Sequence, residues 1–95
     1  MENKQQRIDI ELPEQQGEGI YSNLAIVSHS PSEFIIDFTR VLPGVQKAKV
    51  YSRIILAPTH AKLLMDVLKK NIEKYEQQFG EIKVIEQEQH KPIGF

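Results

Sequence analysis

Two apolar runs that alternate with period two, joined through Pro43-Gly44, constrain this chain more than any other feature. Successive side chains of a strand point to opposite faces, so each such run defines one apolar face. Within Glu33–Leu42, Phe34, Ile36 and Phe38 fall on one side, and Ile35, Asp37 and Thr39 on the other. From about Gln46 to Leu56, Ala48, Val50, Ser52, Ile54 and Leu56 form an inward row, while Lys47, Lys49, Tyr51, Arg53 and Ile55 point outward. Pro-Gly is a strong turn signal, and it predicts a tightly connected hairpin. Pairing Phe38 with Val50, Ile36 with Ser52 and Phe34 with Ile54 keeps both apolar rows on one face, a match that a one-residue slip would destroy.

A further strand is expected over Ile20–Ser28. It has apolar groups on both faces: Ile20, Leu24 and Ile26 on one, Tyr21, Ala25 and Val27 on the other. Arg7–Leu12 also alternates and reads as a short edge strand ended by Pro13, which has no N–H for a ladder. Glu81–Ile85 reads as a last strand returning to the sheet edge.

Between these strands the period changes. Ala61, Leu64, Leu68, Ile72, Tyr75 and Phe79 recur at steps of three and four, with Met65 and Val67 widening the stripe. That spacing predicts one amphipathic helix. Pro58 suits its first position and Gly80 its stop, whereas Ala57 is a poor cap for the first amides. The resulting expectation is an α+β fold, an antiparallel β-meander of four to five strands packed against one long C-terminal helix. Residues 1–19 are read as a flexible N-terminal segment, 20–85 as the single domain and 86–95 as a mobile tail.

A 95-residue chain buries only about 60–65% of the surface its unfolded state exposes, so a homodimer sharing its core is an expected arrangement. Hydrophobic residues at 40% and charged residues at 26% exclude disorder throughout. The chain has no cysteine, which excludes disulfides and thiolate chemistry and, in so small a domain, favours the cytoplasm. The polar start lacks the apolar core of a signal peptide, and no run approaches the ~20 apolar residues that cross a bilayer.

No catalytic, cofactor-binding or metal-ligating set emerges. His29, His60 and His90 are widely spaced and outside any metal-binding pattern, and Ser22, Ser28, Ser30, Ser32 and Ser52 lack a nucleophile motif. Gly17-Glu18-Gly19 lacks the third glycine and the helix of a phosphate loop. A non-enzymatic role is therefore expected.

Two surfaces remain as candidates. The outward row Lys47, Lys49, Tyr51 and Arg53 combines cations with an aromatic ring, a pattern suited to phosphate, single strands or an acidic partner. A plain solvated face is the competing reading, with Asp37, diagonal to Lys49 and Arg53, balancing the charge. The formal net charge of −1 argues against nucleic acid as the main partner. The second surface is the apolar set Tyr21, Ala25, Val27, Ile35 and Ile55, which would need a homodimer, a partner or a terminal segment to cover it.

The segments Ile20–Asn23, Glu33–Phe38, Ala48–Leu56 and Pro58–Lys62, taken in order and with their spacing, resemble a bacterial family known as a domain of unknown function. The resemblance spans Ile20 to Gly80 and departs at Ala57, where such sequences more often place Ser or Thr. It brings no catalytic residues. Genes of that family often lie beside those for the large RNA polymerase subunits, so the resemblance implies a protein partner in transcription.

Overall fold

The computed structural model describes residues 7–85. Its elements are a single helical turn α1 (Glu14–Gly17), strands β1 (Leu24–His29), β2 (Phe34–Arg40) and β3 (Lys49–Leu56), and a long helix α2 (Pro58–Phe79). The fold is α+β. One antiparallel sheet holds three strands in the order β1-β2-β3, a meander of nearest neighbours. The expected edge strand over Arg7–Leu12 does not form; Pro13 instead opens α1 in an extended conformation. Glu81–Ile85 is likewise not a strand, because the chain leaves α2 through Gly80 and Ile82 N–H turns back to donate to Glu76 Oε2 at 3.0 Å. Expectations for the 86–95 tail and for His90 lie outside the described residues.

Strand β2 is central and pairs on both sides. On the β1 side Ala25 faces Phe38, Val27 faces Ile36 and His29 faces Phe34. Side-chain bonds prolong this ladder: the Asn23 amide donates through Nδ2 to Val41 O at 3.0 Å and accepts Val41 N–H at 2.8 Å. Ser22 Oγ lies 3.0 Å from Thr39 O and 3.2 Å from Leu24 O, so its single proton serves one of these carbonyls.

The β2–β3 register differs from the expected one by two residues. Phe34 faces Leu56, Ile36 faces Ile54 and Phe38 faces Ser52. A two-residue shift preserves the face of every side chain, so pattern alone could not separate the two pairings. Leucine 56 gains a partner that the tighter pairing denied it, and the connection lengthens to residues 41–48. At its centre Val45 N–H donates to Leu42 O at 3.2 Å, and Gly44 takes φ +78, as the third residue of a turn that begins at Leu42 with Pro43 second requires.

Between Phe38 and Thr39 the register slips, leaving Tyr51 as the extra residue of a β-bulge. Val50 therefore faces Thr39 while Ser52 faces Phe38, and adjacent β2 residues lie on opposite faces. The continuous inward row Ala48, Val50, Ser52, Ile54 and Leu56 is thus broken at Tyr51.

Helix α2 runs as its periodicity predicts, from Pro58 at its start to Gly80, whose φ of +99 ends it. Ala57 supplies no side-chain cap. The expected burial of its apolar stripe on the sheet does not occur. Helix α2 touches mainly β3, and Leu68 and Phe79 remain 56% and 66% exposed. Among the described residues no apolar side chain is buried, and Thr39 alone reaches that state, at 2% exposure.

Candidate functional site

The bulge at Tyr51 determines which cations meet. Arg53, before it in the ladder from Leu56, faces Asp37 directly rather than diagonally. Its Nε donates to Asp37 Oδ1 at 2.7 Å and its Nη2 to Oδ2 at 2.9 Å, a two-point grip matched to the carboxylate's geometry. These hydrogen bonds, with a smaller contribution from the guanidinium charge, hold the Asp37 carboxyl below its usual range against partial desolvation. The same bonds raise Arg53. Arg53 is a neutralised member of the sheet.

Past the bulge, Lys49 faces Arg40 instead. Lys49 Nζ lies 5.2 Å from the centre of the Tyr51 ring, and the Arg40 guanidinium carbon 5.8 Å from that of Tyr21. Both distances fall within cation–π range. The result is a row of Tyr21, Arg40, Lys49 and Tyr51, all exposed, at the end of the sheet where β2 finishes and β3 begins. Among the described residues neither cation has an acidic partner within salt-bridge distance. Of the four residues read from the sequence as a basic stripe, Lys49 and Tyr51 are brought together, Arg53 is paired with Asp37, and Lys47 lies in the bend before β3. Arg40 was missed, and Tyr21 was assigned to the apolar surface instead. The signal for Arg40 was the bulge, which no alternation rule reveals.

The second candidate surface is divided. Ala25 and Val27 pair with Phe38 and Ile36, whereas Ile35 and Ile55 pair with each other on the opposite face. Tyr21 stands outside the strands, beneath Arg40. The five residues therefore do not form one docking face.

An open cavity of about 430 Å³ sits where α1 and the following loop approach the sheet, lined by Gln15, Gln16, Ile20, Phe38, Ser52 and Ile54 among others. It carries no ionisable side chain. His29 stacks on its cross-strand neighbour Phe34 with ring centres 5.4 Å apart. Ser30 and Ser32 shape the β1–β2 turn, where Ser30 N–H donates to Glu33 O at 2.9 Å. Among the described residues no serine bonds a histidine, and no group of His, Asp and Glu is arranged to hold a metal ion. No described helix is long and apolar enough to cross a membrane.

These features define a small α+β chain, a three-stranded antiparallel sheet followed by one long helix. Residues 1–84 match the family described as "Protein of unknown function (DUF3467)", and the chain belongs to that family. No curated protein and no solved structure matches it.

Proposed function

We propose that this chain is a non-enzymatic protein-interaction module, acting in the cytoplasm as an accessory factor of the transcription machinery. One observation carries the interaction reading: an amphipathic helix of 22 residues leaves its apolar stripe open to solvent. A stripe of this kind gains its stability from burial against another surface. The link to transcription rests on the expectation raised by gene neighbourhood in the resembling family.

The row Tyr21, Arg40, Lys49 and Tyr51 supports a second reading, a nucleic-acid-binding module. Two unpaired cations between two exposed rings suit the phosphates and bases of a single strand. The overall charge of −1 limits this reading to a local patch.

A tagged pull-down from native cytoplasm, read by mass spectrometry with and without nuclease, tests both. Nuclease-resistant recovery of polymerase subunits supports the accessory role. Their loss with nuclease shifts the assignment to the cationic row. Recovery of the chain alone overturns the transcription reading.

A further inference from the structure

Met65, Leu68, Ile72, Tyr75 and Phe79, preceded by Ala61, follow one another at alternating steps of four and three. Leu64 and Val67, 43% and 53% exposed, lie along one flank of this line. Alternating steps of four and three are the repeat that places knobs into holes when two helices pair along a shared axis. Met65, Leu68, Ile72, Tyr75 and Phe79 are all exposed, from 39% at Ile72 to 66% at Phe79. The opposite side carries the Asp66–Lys70 pair at 3.2 Å, as a solvent face should.

We propose that α2 pairs with α2 of a second copy of this chain, antiparallel and symmetric about Lys70. The proposal deepens the interaction reading above and rests on the same open stripe.

Size and charge together select this arrangement. In a pair symmetric about Lys70, Ala61 meets Phe79 of the other copy, Met65 meets Tyr75, and Leu68 meets Ile72. Every seam residue finds a seam partner, and at each end the smallest side chain, Ala61, faces an aromatic one, Phe79, so that layer sizes are matched. A parallel pair would instead set Phe79 on Phe79 and Ala61 on Ala61. Flanking the antiparallel seam, Lys62 comes beside Glu76 of the other copy at both ends. Glu76 Oε2 already accepts Ile82 N–H, and no described residue bonds its Oε1. Lys69 meets its own counterpart near the centre, a repulsion that the two outer pairs exceed in number. In the parallel arrangement Lys69 would flank Leu64 and Glu76 would flank Asn71, with no opposite charge.

The full chain can be tested directly, because it has no cysteine and only introduced thiols can react. The Ala61→Cys and Phe79→Cys chains, mixed and oxidised, should join as unlike pairs, since a disulfide needs the two backbones within about 7 Å. Like-with-like products would show a parallel pair and overturn the proposal. Sedimentation equilibrium should give twice the chain mass for the unmodified protein. A mass of one chain at every micromolar concentration would overturn it. A double mass with no helix-to-helix disulfide would also overturn it.

Leu68→Lys with Ile72→Lys should weaken dimerisation roughly 100-fold, the loss expected from removing central anchors. Lys62→Glu should weaken it, and adding Glu76→Lys should restore it, a rescue that misfolding cannot imitate. Absence of rescue would refute the register. A monomeric chain that still recovers polymerase subunits after nuclease would sink the dimer and leave the interaction module standing.

Discussion

Arg53 holds Asp37 across the β2–β3 pair through two parallel N–H···O bonds of 2.7 and 2.9 Å. Asp37 is the better shielded partner, its side chain 14% exposed against 60% for Arg53. The pair sets an opposite charge against Arg53 through two of its guanidinium nitrogens.

The first consequence concerns pH. Because the folded Asp37 carboxyl is depressed, the unfolded chain binds its proton more readily. The stabilisation is present above the ordinary carboxylate range, about pH 4, and is lost as pH falls through the lower folded value. Asp37→Asn should therefore flatten the acid limb of a stability-versus-pH curve measured by urea unfolding. An unchanged acid limb would show that the pair contributes nothing.

The second concerns the cationic row. Arg40→Glu with Lys49→Glu should abolish retention on a short single-stranded oligonucleotide or an acidic peptide, followed by fluorescence anisotropy at low salt. Arg53→Gln should leave it intact, provided the fold survives by circular dichroism. Equal loss in both variants would place Arg53 back among the binding cations.

The third concerns the ladder beyond β1. Asn23 satisfies both backbone groups of Val41 with one side chain. Asn23→Ala should lower stability by about 1–2 kcal/mol, the sum expected for two modest hydrogen bonds. Denaturant midpoints of the two chains check this, with the slope unchanged.

The fourth concerns the start of α2. Ala57 has the extended conformation of a cap residue, with φ −64 and ψ 155, and no side chain able to accept the free amides. Ala57→Ser or Ala57→Asp should stabilise the chain by about 1 kcal/mol. A melting temperature no higher than that of the parent would show that the first turn is already satisfied by other means.

Helix α2 was legible because Pro58, the apolar spacing and Gly80 each mark it independently and agree. The hairpin was legible in its faces from Ser52 to Leu56 but not in its register. Moving Phe34 from Ile54 to Leu56 changes no face, so hydrophobic pattern is blind to it. The edge strands at Arg7–Leu12 and Glu81–Ile85 failed for another reason. Alternation marks a segment able to pair, yet α1 and the turn after Gly80 keep both segments off the open edges of β1 and β3. For the site, one residue decided the outcome. The extra position at Tyr51 reverses the face of everything before it on β3, exchanging Arg53 for Arg40 as the neighbour of Lys49. Placement of α2 could not be read at all, since an apolar stripe states that it must be covered and not by what.

The nearest-neighbour strand order also sets a timetable. Each strand pairs only with the one beside it in sequence, so the sheet closes short loops and can assemble early, while the chain is still emerging. Helix α2 comes last and has little sheet to land on. Sheet formation should then be fast and independent of concentration and, in the proposed pair, burial of the helix slow and second order. Folding and partner choice would be separate events in time, and the interval between them is when a chaperone or a competing helix could intervene.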